Sequence, residues 1–421
     1  MSFKDFKLVP HIMQAVKNCG FVTPTPIQQQ TIAHILEGRD LLGLAQTGTG
    51  KTAAFILPIV QQLLSKKTKN IRTLIIAPTR ELAEQIHAFA SEIIAGTGLR
   101  SMAVYGGVSK HSQLNRIRQG VDIVVACPGR LLDIINDRAI DLRNIENLVL
   151  DEADHMFDQG FLPDIRRILK NLPQKRQTLV FSATMPTEIR KLAEDILYKP
   201  VSVQVNKIKP ADTVEHSLYS VSQSDKTRLL LEVLRENSTT TTLVFTRTKY
   251  KAKNLAAKLS KEGFKAISLQ GNMTQNKRQQ ALQGFKNGTY TTLVATDIAA
   301  RGIDVSGISH VINFDAPDTA EAYIHRTGRT GRAQCTGKAV TFATAEDNKI
   351  IHSIERSLEK PLYRHPMSLQ KIEKTEQVRC TSPEKKVKSF RGKKKKAYQG
   401  SKARHSGTGS APIFGLTVHC K

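Results

Sequence analysis

The chain lacks any long apolar run. No stretch approaches the roughly 18 residues that a membrane-crossing helix needs, and Met1 to Met13 holds no apolar core of a secretory leader. It is poor in cysteine. Cys19, Cys127, Cys335, Cys380 and Cys420 are scattered, without a Cys-x-x-Cys pair. That spacing argues against a zinc site and a disulfide framework, and it predicts a reducing, cytoplasmic setting. It is also short of acid: 37 Asp and Glu stand against 63 Lys and Arg, a net charge of +26 with a pI of about 9.9. A soluble chain this basic is expected to meet a polyanion: RNA, DNA or an anionic membrane.

What is present suits two α/β domains and a tail. The 421 residues exceed one ordinary domain, and 40% of them are hydrophobic, enough for packed cores. Short β-branched runs at Ile71–Ala77, Asp122–Ala126, Leu148–Leu150 and Thr178–Phe181 read as buried strands, with helices at Glu81–Glu92 and Pro186–Ile196 between them. Buried strands alternating with helices predict a parallel sheet covered on both faces. The pattern restarts with strands at Thr241–Phe245, Ala266–Leu269, Thr291–Ala295, His310–Phe314 and Lys338–Phe342. Helices are expected there at Lys249–Lys261, Gln275–Phe285 and Ala320–Thr327.

Val203–Thr213 has no clear period and reads as the connection. The expected division is therefore residues 1–205, a linker at 206–213, a second domain at 214–360 and a basic tail at 361–421. From Thr381 onward there are eleven Lys and Arg against one acid, Glu384, so about +10 of the charge sits there. Such a composition predicts disorder and salt-sensitive contact with the phosphates of a nucleic acid. A membrane is the weaker partner, because no amphipathic helix or lipidation box stands beside the charges. Ile413–Val418 is a small apolar island within that tail.

Three motifs carry chemistry. Ala45-Gln46-Thr47-Gly48-Thr49-Gly50-Lys51-Thr52 follows the apolar run Leu41–Leu44 and opens a helical segment. Glycines there let backbone N–H groups curl around phosphates, and the helix N-terminus adds its dipole. Lys51 is placed to reach the β- and γ-phosphates and Thr52 to hold Mg²⁺. Asp151-Glu152-Ala153-Asp154 follows Leu148–Leu150. Carboxylates at the C-terminal end of a parallel strand lie where such sheets bind ligands. Asp151 suits Mg²⁺ coordination, and Glu152 suits deprotonating an attacking water. His325-Arg326-Thr327-Gly328-Arg329-Thr330-Gly331-Arg332 spaces three arginines by three, in the other domain from the phosphate loop. Arginines offered across a cleft act on a γ-phosphate as fingers.

From Phe3 to about Leu358 the sequence resembles the DEAD-box ATP-dependent RNA helicases, and among them the bacterial RhlE-like group. That resemblance implies two tandem RecA-like domains. It implies that Gln28 reads the adenine edge, that Phe21 stacks on the ring and that Asp304 meets the ATP ribose. Pro78, Thr79, Arg80, Gly107 and Arg130 match first-domain RNA contacts, and Thr248, Arg278 and Thr296 match second-domain ones. Ser182, Thr184, Asp154, His325 and Arg326 match groups that couple the domains, with Arg326 bridging them, and Arg329 and Arg332 match the γ-phosphate arginines. Contacts to phosphates and ribose hydroxyls predict weak sequence specificity. One departure stands out: the family usually has Thr where this chain has Cys127, and a thiol is a poor donor. The resemblance implies RNA as partner, within ribonucleoprotein or RNA-decay complexes. It accommodates unwinding of short duplexes by domain closure, and equally an ATP-gated clamp on RNA. A DNA helicase is disfavoured by the motif set.

Overall fold

Runs of four apolar or β-branched residues make several of the strands, such as Thr73–Ile76, Ile123–Ala126, Thr242–Phe245 and Thr292–Ala295. In a computed structural model, residues 1–365 are described apart from positions 47, 67, 69, 206–213, 237–240, 301–304, 306 and 332–335. The first lobe has β1 (Leu41–Leu44), β2 (Thr73–Ile76), β3 (Ser101–Val104), β4 (Ile123–Ala126), β5 (Asn147–Leu150), β6 (Gln177–Ser182) and β7 (Val201–Gln204). They form one seven-stranded sheet in the order β3-β4-β2-β5-β6-β1-β7, every pairing parallel.

The second lobe has β8 (Val214–Ser220), β9 (Thr242–Phe245), β10 (Ala266–Leu269), β11 (Thr292–Ala295), β12 (His310–Asn313), β13 (Gly337–Ala343) and β14 (Tyr363–Arg364). Its order, β10-β11-β9-β12-β13-β8-β14, repeats the first when each strand is counted from the start of its own lobe. The chain has thus used one parallel topology twice.

Period-two alternation sends successive strand residues to opposite faces. Ile75, Val125, Val149 and Leu179 join one core with the helices Pro26–Leu36, Lys51–Leu64 and Arg80–Ile93. Their neighbours Leu74, Val124, Leu148 and Val180 join another, with Pro128–Asn136, Leu162–Leu169 and Thr187–Ile196. In the second lobe Val244, Val294 and Ile312 face one cluster, while Leu243, Leu293 and Val311 face the other. Both faces are dry, so the strands read as continuous apolar runs rather than alternating ones.

Two edge strands were not expected as strands. Val203 and Gln204, at the start of the run without clear period and inside the division at 205, belong to edge strand β7, with Val203 buried against the first core. Tyr363–Arg364 lies beyond the expected domain end at 360, yet pairs with β8, and Leu362 beside it is buried. An edge strand needs pairing on one side only, so a short, partly polar run suffices and leaves little signal. The linker at 206–213, and the tail from 366 with its apolar island, lie outside the described residues.

Candidate nucleotide and RNA site

Sheet order sorts the motifs. β5, β6 and β1 are adjacent, and their C-terminal ends carry Asp151-Glu152-Ala153-Asp154, Ser182-Ala183-Thr184 and the phosphate loop. β2, β4 and β3 are adjacent on the other side, and their ends carry Pro78-Thr79-Arg80, Cys127-Pro128-Gly129-Arg130 and Gly106-Gly107. One half of the sheet edge therefore presents the nucleotide chemistry and the other half the expected RNA contacts.

The phosphate loop is held from both sides. Lys51, 5% exposed, donates from Nζ to the Ala45 carbonyl at 3.0 Å, and the Thr49 hydroxyl donates to the Gln46 carbonyl at 2.7 Å. Gly50 sits at φ +92°, a conformation that L side chains rarely adopt. A Cβ there would also fall 2.5 Å from Gln28 Nε2. Gln28 Nε2 donates to the Gly50 carbonyl at 3.1 Å, and Gln28 Oε1 accepts from the Thr25 backbone N–H at 2.9 Å. A glutamine amide has two N–H donors and two acceptor lone pairs. These two bonds use one of each and leave a donor–acceptor pair that matches an adenine edge. Phe21 is half-buried, its ring stacked on Phe3 at 6.3 Å between centroids.

Asp151 and Glu152 are both buried, at 2% and 3% exposure. Burial pushes the Asp151 carboxyl up to about 6, against the pull of Lys51, with the Glu152 charge adding to the rise. Burial also acts to raise Glu152. The bond from His155 and the charges of His155, Lys51 and Arg329 outweigh it and hold Glu152 below the usual carboxylate range. A pair of buried acids, one of them destabilised as an anion, suits a divalent cation, and the oxygens of Asp151 and Thr52 are the hard donors that Mg²⁺ takes. Glu152 itself sits at φ 53°, ψ 53° as the N-cap of the helix Ala153–Asp158. For a non-glycine residue that costs on the order of 1 kcal/mol and persists only where neighbours enforce it.

Asp154 ties two strand ends together. Its Oδ2 accepts from the Ala183 N–H at 3.1 Å, the Thr184 N–H at 2.8 Å and the Thr184 hydroxyl at 2.9 Å. The Ser182 hydroxyl accepts from the Asp154 N–H at 3.2 Å and donates to the Thr184 carbonyl at 2.7 Å. The second lobe approaches here. The His325 ring meets His155 edge-on at 5.2 Å, and the charge of buried Arg329 acts on Glu152.

Three of the expected contact residues have partners within the protein. Arg326 was expected to bridge the lobes, but its partners all lie in the second. Nε and Nη2 grip Asp297 at 2.6 and 2.7 Å, Nη1 reaches the Asn313 side chain and the Asp315 carbonyl, and the guanidinium lies over Phe245. At 3% exposure it is buried among these partners, so it braces the end of the helix Ala320–Thr327, which carries His325 and leads to Arg329. Arg130, expected on RNA, bonds the Val108 carbonyl and Gln113 and lies 3.5 Å from Asp133. Arg278, also expected on RNA, pairs across the lobes with Glu81: Nε to Oε1 is 2.7 Å, and Gln275 joins the same oxygen at 3.3 Å.

Arg80 does lie beside the Gly106-Gly107 turn. Gly107 is at φ +84°, and a Cβ there would land on the Arg80 guanidinium. Thr79 and Thr248 cap the helices that follow them, accepting from Leu82 and Lys251 N–H groups. Pro78 is buried at the β2 end, and Thr296 is half-buried beside the short helix Asp297–Ala300. Cys127 is buried, makes no cap bond, and burial pushes its thiol up to about 12. Thr47, Asp304 and Arg332 lie outside the described residues. Thr25 and Glu81 stood inside recognised motifs without a role of their own, and sequence reading missed His155, Gln275 and Asp297 as parts of the site. Glu81, His155 and Asp297 carried a signal, being titratable residues beside expected contacts.

A model of the DEAD/DEAH box helicase family matches residues 25–192, and one of the helicase conserved C-terminal domain matches 225–334. The DEAD-box ATP-dependent RNA helicase CshA of Bacillus subtilis (strain 168) is 42% identical over 365 residues, covering 86% of this chain and 74% of the relative. The structure of S. cerevisiae Dbp5 bound to RNA and ADP BeF3 superposes with a TM-score of 0.77 at 28% identity, over 90% of this chain and 99% of that one. Mss116p, solved as a double deletion bound to ssRNA and AMP-PNP, gives a TM-score of 0.79 at 28% identity, over 90% and 82%.

Proposed function

This chain belongs to the DEAD-box family and is an ATP-dependent RNA helicase with two tandem RecA-like lobes, and from its cleft we propose how it separates RNA strands. ATP enters with its adenine against Gln28 and Phe21 and its phosphates over the loop 45–52. Lys51 exchanges the Ala45 carbonyl for phosphate oxygen. Thr52 and Asp151 would hold Mg²⁺, which when bound supplies positive charge to the phosphate oxygens. Glu152 takes a proton from the attacking water, and Arg329 brings positive charge from the second lobe to the γ-phosphate.

RNA lies along the ends of β2, β4 and β3 and the facing ends of β9 and β11, contacted through Arg80, the Gly107 turn, Thr248 and Thr296. The Glu81–Arg278 pair and the His155–His325 contact hold the lobes together over both ligands. A strand gripped by both lobes is bent away from duplex geometry, so a short helix opens locally. Hydrolysis then removes the γ-phosphate that favours the joined state, and the lobes part. RNA recognition through backbone groups gives weak sequence preference and suits ribonucleoprotein or RNA-decay assemblies in the cytoplasm.

The observation that carries this reading is the placement of Lys51 and Glu152 on adjoining but separate elements, with Arg329 acting on Glu152 from the other lobe. Lys51→Ala removes a phosphate partner and weakens ATP binding. Glu152→Gln keeps shape, leaves ATP binding near native and abolishes turnover. Equal loss of nucleotide binding in the two variants contradicts the assignment of Glu152 as base.

A further inference from the structure

Glu152 is bonded by a residue outside the motifs discussed above. His155 Nδ1 lies 2.8 Å from Glu152 Oε2, and both side chains are 4% exposed. An ionised carboxylate only accepts, so Nδ1 carries the hydrogen and donates. The bond closes over one helical turn, from the first turn of the helix Ala153–Asp158 back to its N-cap. That N-cap is in the left-handed region, where helix geometry does not set the side chain's direction. The imidazole's Nε2 is buried with no hydrogen-bond partner among the described residues. Its ring meets His325 of the second lobe edge-on, at 79°.

We infer that His155 is a positioning residue for hydrolysis: its Nδ1–H pins one oxygen of Glu152, fixes the plane of the carboxylate, and refers that plane to the lobe contact through His325. The inference rests on Glu152 being the base. A general base is worth 10²–10⁴ in rate only when its lone pair is aimed, and a carboxylate that rotates about its last bond spends most of its time misaimed. The bland alternative is that His155 merely fills volume at the helix turn. The two differ in what a ring without a donor does. Phenylalanine keeps the volume and the ring edge toward His325 but removes the Nδ1–H. Asparagine loses volume but places an N–H close to the Nδ1 position.

The experiment compares steady-state RNA-stimulated ATPase of the full chain and of His155→Phe, His155→Asn and Glu152→Gln, with ATP affinity measured separately by a fluorescent nucleotide. The expected result is a roughly tenfold lower kcat for His155→Phe, ATP affinity and RNA half-saturation within about twofold of native, and recovery of most of the kcat in His155→Asn. Native kcat in His155→Phe, or a kcat in His155→Asn as low as in His155→Phe, overturns the positioning role and leaves packing. If His155→Phe does not fold, as judged by its melting transition, His155→Gln replaces it. Its amide reaches the Nε2 position and misses Oε2, so its kcat is also expected to be low, and a native value overturns the inference. Glu152→Gln separates the levels. Turnover persisting there refutes the base itself, whereas a dead Glu152→Gln beside a native His155→Phe refutes positioning alone.

Discussion

Arg278→Ala tests whether joining of the lobes is held by a buried ion pair or whether Arg278 serves RNA directly. Arg278 Nε sits 2.7 Å from Glu81 Oε1, with side-chain exposures of 10% and 5%. Removing one partner of a buried pair strands the other charge, at a cost of about 3–5 kcal/mol. The lower end applies, because Gln275 Nε2 still reaches the same Glu81 oxygen at 3.3 Å. Only the joined arrangement suffers, since parted lobes return Glu81 to water. A loss of about 3 kcal/mol lowers the joined population roughly a hundredfold. RNA affinity scales with that population, so half-maximal RNA concentration should rise by up to about a hundredfold. The assay is RNA-stimulated ATPase titrated with single-stranded RNA for native protein, Arg278→Ala, Glu81→Ala and the double variant. Either single change breaks the same pair, so the double variant should be little worse than each single one. Additive losses, with a salt slope of RNA binding reduced by about one in Arg278→Ala alone, would refute the pairing and return Arg278 to the phosphate backbone.

Two further outcomes follow from other parts of the molecule. Gln28→Ala removes the amide that bonds both Thr25 and Gly50; it should raise the ATP concentration needed for half-maximal turnover and narrow the preference over GTP by roughly 1–3 kcal/mol, and equal use of ATP and GTP by native protein refutes the assignment. Deleting residues after Arg379 removes about +10 of charge; it should leave ATPase at saturating RNA nearly native, raise the RNA needed for half-maximal rate and flatten the dependence of RNA affinity on salt, and an unchanged salt slope refutes a tail contact with RNA.

The chemistry was far more legible in the sequence than the wiring between its parts. The phosphate loop and the two acidic residues after β5 announce themselves because their neighbours in sequence are also their neighbours in space. Helices such as Lys249–Lys261 and Ala320–Thr327 ran where their period put them. Edge strands β7 and β14 were lost, since pairing on one side demands no apolar run. Most of all, partner choice was hidden. Arg326 and Arg278 are both cationic residues in expected contact motifs. One is consumed by Asp297, 29 positions before it, and the other by Glu81, 197 positions before it. Separations of that kind are set by sheet order and lobe contact, which no local pattern encodes. His155 was passed over although it adjoins the Asp151-Glu152-Ala153-Asp154 motif, because its bond to Glu152 goes with the left-handed backbone of that residue, which no local pattern encodes.

Under the proposed mechanism, ATP-driven joining of the lobes on a single strand pulls a short RNA duplex apart. Strand displacement tests it directly, using a labelled short RNA duplex with a single-stranded extension, followed on a native gel alongside phosphate release from the same mixture. The expected result is ATP-dependent displacement that falls steeply as the duplex lengthens, is absent in Glu152→Gln under multiple turnover, and weakens when the extension is replaced by its 2′-deoxy equivalent. RNA-stimulated phosphate release from native protein while the strands stay paired, even at the shortest duplex, would contradict it and identify an ATP-gated clamp instead.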